Sequence, residues 1–287
     1  SDPALLPDRF IEELIKYLQQ LRYDSVLPFA DATHEIIIKH QDEIKRYTNL
    51  LVPVPASFEK TIDKAKTIIV AKQCGIPIPQ TWFPESCEDA IATAKGLVYP
   101  VIIKPRRSTG SRGVKLVQCP YDFQRAYHQV HALYPKPLIQ EFIPLQDAVG
   151  FVALYDKRSR MTAYCQHRRL HEFPLSGGPS TLRETIHDER LTELGTRLLG
   201  ALNWQGPAMV EFRIDVRDGI PKLMEINPRL PGSLQVHIAA GVNFPDLIYK
   251  EACGIPYAHV STYKIGMKAK WLLPGEILYF LANLRHG

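Results

Sequence analysis

Two acidic residues and an amide are spaced so that a β-hairpin would gather them. In Met209-Val-Glu-Phe-Arg-Ile-Asp-Val216 the apolar Val210, Phe212, Ile214 and Val216 alternate with Met209, Glu211, Arg213 and Asp215, the period of two that marks a half-buried strand. Arg217-Asp218-Gly219 reads as a turn, and Ile220 to Arg229 as a second strand with Glu225 and Asn227 on one face. With Gly219 in the left-handed position of a three-residue loop, Val216 stands opposite Ile220, Glu211 opposite Glu225 and Met209 opposite Asn227. A two-residue Asp-Gly loop would slip the register by one and send the carboxylates to opposite faces. The three-residue loop is the expectation. Carboxylates whose Cβ atoms stand about 5 Å apart repel, so the pair needs a proton, a basic side chain or a metal. With the amide oxygen of Asn227 it makes an all-oxygen set that suits Mg²⁺ bridging nucleotide phosphates. The alternative is a solvated face neutralised by Arg213 and Lys222.

A second chemical stretch runs from Tyr99 to Val117, where apolar strands near 100–104 and 113–118 flank a polar loop holding Gly110 and Gly113. Such a loop aims backbone N–H groups at a phosphate, and Lys104, with Arg107 or Arg112, adds positive charge. It is not a Walker A loop, because no Gly-Lys-Ser/Thr opens a helix here. An ordinary hairpin loop is the competing reading. Lys64 follows a plausible N-cap, Asp63, and so lies in the first turn of a helix, where the dipole disfavours a cation unless an anion meets it.

Length and composition bound the rest. The chain has 287 residues, 45% of them apolar, enough for a substantial core in two domains or one multi-lobed one. A net charge of +5, without basic blocks interleaved with aromatics, points to an anionic small ligand rather than nucleic acid. No apolar run reaches the roughly 20 residues of a bilayer span. The five cysteines form no Cys-x-x-Cys pair, which argues for a reduced, cytoplasmic compartment.

The elements that must position these residues follow in order. Residues 9–21 have helical spacing, a short strand follows at 25–30, and a helix covers 34–47; Pro53 and Pro55 punctuate a linker. A helix then ends at Gly75, another covers 121–133, and Pro137 to Pro144 is a buried strand whose end could read an adenine edge through main-chain groups. Strands near 150–156 and 161–166 precede Arg168 to Ser180, whose Ser176–Ser180 segment is a mobile or anion-cradling loop or simply a turn; helices near 188–202 and 244–253 flank the hairpin. The apolar segment from Trp271 packs on the domain or a partner, or marks a truncation point.

Taken in this order, Asp63-Lys64 with Gly75-Ile-Pro-Ile-Pro79, Tyr99 to Lys104 with the Gly110 to Gly113 loop, Gln140-Glu-Phe-Ile143, Glu211, and Glu225-Ile-Asn-Pro-Arg229 resemble an ATP-grasp enzyme over residues 60 to 255. Within that superfamily the chain is similar to carbamoyl-phosphate-synthase-like members and carboxylate–amine ligases. The resemblance implies an α+β, ATP-grasp fold, two α/β lobes clasping ATP, behind a partial Rossmann-like segment. It divides the chain into that segment (1–58), the phosphate-binding subdomains (59–147), the catalytic lobe (148–260) and a C-terminal segment (261–287). Family members usually open with several βα units, so an N-terminal truncation is expected. Lys64, Lys104, Ser108, Thr109, Gly110, Arg112 and Gly113 would bind the phosphates, and Gln140, Glu141, Phe142, Ile143 and Asp147 the nucleoside. Glu211, Glu225 and Asn227 would hold Mg²⁺, or Mn²⁺ in its place. Arg229 and Lys104 would be catalytic, and Arg168, Arg169, Ser176, Gly177 and Gly178 would receive the acceptor. The implied activity is ATP-dependent C–N ligation, a carboxylate being phosphorylated for attack by an amine, in a cytoplasmic enzyme that forms a homodimer. A regulatory nucleotide-binding module and a phosphotransferase are the competing classes.

Overall fold

The computed structural model describes residues 1–175 and 178–286. The first helix, α1 (Pro7–Gln20), buries Ile11, Ile15 and Leu18 at helical spacing. After it, β1 (Ser25–Val26), α2 (Asp31–Lys39), α3 (Gln41–Ile44) and β2 (Asn49–Leu50) form one βαβ unit with a two-stranded parallel sheet. Pro55 is no linker residue. It opens α4 (Pro55–Ile62) at a first-turn position, where the missing N–H would have had no helical partner. Asp63 then caps α5 (Lys64–Gln73) by accepting from the Ala65 N–H at 2.9 Å.

The next lobe is a four-stranded antiparallel sheet in the order β3-β6-β4-β5. It comprises β3 (Thr81–Trp82), α6 (Cys87–Ala94), β4 (Val101–Lys104), β5 (Lys115–Val117), α7 (Pro120–Leu133) and β6 (Leu138–Glu141). Val101, Ile103 and Ile139 pack under Phe123 and Tyr127 of α7.

A six-stranded antiparallel sheet in the order β11-β10-β7-β8-β9-β12 carries the larger lobe. Its strands are β7 (Leu145–Tyr155), β8 (Met161–Glu172), β9 (Ser180–Ile186), β10 (Gly206–Asp215), β11 (Pro221–Asn227) and β12 (Lys268–Lys270). On one face Phe151, Val210 and Phe212 pack against α8 (Glu189–Ala201) and α5. The absence of a side chain at Gly195 matters there, because a Cβ would lie 2.3 Å from the Phe151 ring. The other face is covered at one end by α9 (Leu234–Ala239) and α10 (Phe244–Cys253), with Phe244 and Val242 on Val152, Cys165 and Met209.

Two strands depart from the sequence reading. β8 continues past 166 through Glu172, and residues 180–186, for which no strand is expected from the sequence, form β9. The segment from Trp271 packs on the domain: Glu276 accepts a 2.5 Å hydrogen bond from Thr181 Oγ1 and bonds His171 Nδ1 at 3.0 Å. Tyr279 of α11 (Ile277–His286) stacks on His171 with ring centroids 4.1 Å apart. No helix among the described residues is long and apolar enough to cross a membrane.

Candidate functional site: a carboxylate pair under two lysines

The hairpin gathers its acids by a different route from the three-residue loop. Near the turn Ile214 faces Pro221 and Phe212 faces Leu223, a register one residue short of the expected one; beyond a bulge, Glu211 faces Glu225 and Met209 faces Asn227. The turn therefore holds four residues, 216–219, with the Gly219 N–H donating to Asp215 O at 2.7 Å. The bulge at Met224 restores the lost residue. Without it Glu225 would point to the opposite face. Asn227 Nδ2 donates to Glu211 Oε1 at 3.0 Å and to Glu225 Oε1 at 3.4 Å, so three polar groups share one spot.

The cations facing them come from the other lobe and from β8. Lys64, buried in the first turn of α5, donates to Ser108 O at 2.7 Å, and its Nζ lies 3.5 Å from Glu225 Oε2. Glu225 is thus the anion that offsets the helix dipole. Lys104, at the end of β4, donates to Met224 O at 3.2 Å, the carbonyl of the bulged residue. Burial draws its ammonium down to about 8 although Glu225 acts the other way. Arg169 Nη2 bonds Glu211, and this contact holds the Arg169 guanidinium above its ordinary value.

Between the lobes lies a cleft of about 320 Å³, lined by Lys64, Ser108, Thr109, Arg112, Glu225 and Asn227. Its loop is shaped by left-handed residues at Gly110, Ser111 and Gly113. At Gly113 a Cβ would also lie 2.6 Å from the Tyr134 ring, so only glycine fits.

The remaining sequence-selected residues divide. Gln140 is buried and donates to Thr81 Oγ1 at 3.0 Å, while the Glu141 carboxylate accepts from Arg217 Nη2 at 2.6 Å and from the Gln80 N–H at 3.1 Å. Phe142 is half-buried and Ile143 buried just after β6. Asp147 pairs with Ile214 and so alternates onto the face opposite Glu211. Arg169 is in the site, but Arg168 turns to the other face and pairs with Glu184 at 2.7 Å. The Gly178 carbonyl accepts from Arg169 Nη1 at 3.4 Å; Ser176 and Gly177 lie outside the described residues. Arg229 forms a two-pronged pair with Asp31 of α2, at 2.5 and 3.0 Å.

Sequence reasoning missed several polar groups. Asp31 and His34 come from the first 58 residues, and His34 lines the cleft with neither ring nitrogen hydrogen-bonded among the described residues. Burial lowers its imidazole to about 4. Arg183 of β9 is buried beside His167, which in turn bonds His237 at 3.1 Å. The sequence of β9 gives little signal, because Thr181, Arg183 and Thr185 alternate with Leu182, Glu184 and Ile186.

Two opposed lobes with lysines reaching from one onto an acidic hairpin of the other form the ATP-grasp fold. Residues 162–273 match the family model described as ATP-grasp in the biosynthetic pathway with Ter operon. Among curated relatives, acetyl-CoA carboxylase 1 of Arabidopsis thaliana is 26% identical over 192 residues, 63% of this chain and 8% of that protein. The carbamoyl phosphate synthase large chain of Methanosarcina mazei is 24% identical over 282 residues, 91% of this chain and 24% of that protein. Among solved structures, the biotin carboxylase domain dimer of Hydrogenobacter thermophilus 2-oxoglutarate carboxylase, in complex with MgADP, ADP and bicarbonate, superposes with a TM-score of 0.76 at 17% identity, covering 90% of this chain and 60% of that one. The chain thus spans less than two thirds of the length of each.

Proposed function

We propose that the chain is the ATP-binding core of a ligase that phosphorylates a carboxylate with Mg²⁺-ATP and lets an amine attack the acyl phosphate. The observation that carries this reading is the juxtaposition of Glu211, Glu225 and Asn227 with Lys64 and Lys104. The donor set fits a hard divalent cation. Among the described residues no three acidic, histidine or cysteine side chains converge, so the set is two carboxylates and an amide oxygen, oxygen-only and small in number, as Mg²⁺ shared with phosphates prefers. Asn227 now offers its amide nitrogen to both acids; the same side chain carries an oxygen for a cation. When bound, Mg²⁺ would neutralise charge on the phosphates being cleaved.

Lys64, Lys104 and the loop from Ser108 to Gly113 would take the phosphates, and Glu141 to Ile143 the adenine. The Glu141 N–H already bonds Gln80 O at 2.8 Å, leaving the rest of that strand end for the base. A carboxylate is a poor electrophile; phosphorylation gives it a leaving group, and the work of the protein is positioning and charge neutralisation. Arg169, bonded to Glu211, would receive the acceptor carboxylate, and Arg229 would serve the transferring group after leaving Asp31. The related biotin carboxylase domain is a dimer holding MgADP and bicarbonate, which supports a homodimer and a small acid as acceptor; unbridged cysteines suit the cytoplasm.

The test is thermal unfolding with and without Mg²⁺-ATP, in the parent and in Glu225→Ala. A ligand at about 100 times its dissociation constant adds roughly 2.7 kcal/mol to the folded state. A rise in the parent that is absent from the variant supports the reading. An equal rise in both removes the metal assignment, and no rise in either removes the nucleotide.

A further inference from the structure

Two residues along the strands from the carboxylate pair, the same sheet face carries a row of arginines. Arg213 of β10 faces Ala148 of β7. Since Val149 pairs with Arg168, the next position on β8 is Arg169, and Arg169 pairs directly with Arg183 of β9. Like charges directly opposite on neighbouring strands repel. Only the middle arginine has direct ion pairs: Arg169 bonds Glu172 and Glu211, and these two carboxylates act on Arg183 and Arg213 only from farther away. Among the described residues no carboxylate lies within ion-pair distance of Arg183 or Arg213.

Arg183 is also held in place. One terminal nitrogen donates to Ser233 Oγ and to His167 Nε2, and among the described residues its buried Nε has no acceptor. Because His167 Nε2 accepts, its Nδ1 carries the proton and donates to His237 Nε2 at 3.1 Å. Burial keeps both imidazoles neutral, so they orient the guanidinium without adding charge. Gly150 makes room for this arrangement: a Cβ there would stand 2.5 Å from the His167 ring. Fixing a buried cation without an anion is costly unless an anion arrives.

We propose that Arg183 and Arg213, with Arg169 between them, seat a second anionic group on the acceptor, so that the acid being activated is a dianion in the sense of two anionic groups, either two carboxylates or a carboxylate with a phosphate ester. This rests on the ligase reading, in which Lys64 and Lys104 are already taken by nucleotide phosphates. Guanidinium forks suit planar or tetrahedral oxyanions.

The experiment titrates the full chain, saturated with MgADP, with acetate, with dicarboxylates from malonate to glutarate, and with 3-phosphoglycerate at constant ionic strength. At least one dianion should bind about tenfold or more tighter than acetate, and Arg213→Gln and Arg183→Lys should each remove about tenfold of that while leaving MgADP and acetate within about twofold. Arg183→Lys keeps the buried charge and loses only the fork; Arg213→Gln lies at a half-buried position, so one of the two reports even where the other unfolds. The better arm, dicarboxylate or phosphocarboxylate, tells which second group is meant. Dianions no tighter than acetate overturn the proposal. So does a loss of MgATP over MgADP affinity in the variants with dianion binding unchanged, since the row would then serve the γ-phosphate. If the parent holds dianions but not MgADP, the ligase reading fails and the arginine seat stands.

Discussion

Three successive rows on one face of the six-stranded sheet carry three chemistries. Met209, Val152 and Cys165 form an apolar row under Phe244. One step of two residues, about 7 Å, brings Glu211 with Glu225, Gly150 and His167; another brings Arg213, Ala148, Arg169 and Arg183. The strands, twist and hydrogen bonding are shared, so what separates core from site is what covers each row. Phe244 of α10 covers the apolar row, whereas α9 brings polar groups onto the next two, His237 on His167 and Ser233 on Arg183. Stability and ligand affinity should therefore separate along a single strand.

The largest effect tests the covered row. Met209 is 4% exposed, and Met209→Ala should lower stability by about 3 kcal/mol through lost burial and the cavity left behind. Nucleotide affinity, measured by titration at a temperature where the variant is folded, should stay within about twofold. A large loss of affinity would mean that the apolar row sets the site's geometry and that the two rows are not separable.

The next effect inverts the first. Glu225→Ala should lower the stability of the ligand-free chain by only about 1 kcal/mol, because Lys64 loses its anion while Glu211 loses a facing like charge, and weaken Mg²⁺-dependent ATP binding about 100-fold, or about 2.7 kcal/mol. Lys104→Met comes third, with about 30-fold for ATP, the range of one charge-assisted hydrogen bond, and no change for adenosine. Its pH dependence has a definite sign. Phosphate favours the ammonium form, and in the free chain burial brings that ammonium down to about 8. Below this pH the proton is already present. Above it binding must take one up, so ATP affinity falls by about tenfold per pH unit, while Lys104→Met is flat. The stability of the ligand-free chain moves the other way between about 8 and the ordinary value of 10.5, because there the unfolded chain binds the proton more tightly. A parent as flat as the variant would show that Lys104 does not meet phosphate.

Much of this site was legible in the sequence because the hairpin's alternation and the glycine loop are local signals. The facing of Glu211 and Glu225 came out as read, yet through two compensating departures, a longer turn and a bulge. Turn residues suggest a register but do not reveal a bulge, which depends on the carbonyl of Met224 meeting Lys104 from another lobe. β9 was illegible for the same reason that it matters. The buried residues that alternate along it are Thr181, Arg183 and Thr185, and a strand whose inner face is polar loses the apolar alternation that marks strands. The α2 contribution was hidden by distance: Asp31 lies 198 residues from Arg229, and no local pattern carries that pairing.

That pair gives the smallest expected effect and the finest comparison, because Arg229 stands where the acid row runs out against the N-terminal unit. Its two hydrogen bonds to Asp31, at 2.5 and 3.0 Å, tie the hairpin's end to α2. Both side chains retain solvent contact, at 20% and 35%, so the pair contributes only about 1 kcal/mol. Asp31→Asn should lower stability by that amount. If Arg229 serves the transferring phosphate, Asp31 competes with the ligand for it, and the same variant should bind Mg²⁺-ATP about fivefold more tightly, the equivalent of about 1 kcal/mol. A melting curve and a titration on one preparation measure both. Affinity that falls together with stability would mean that Asp31 holds Arg229 in its working position, making the N-terminal unit part of the acid row's support.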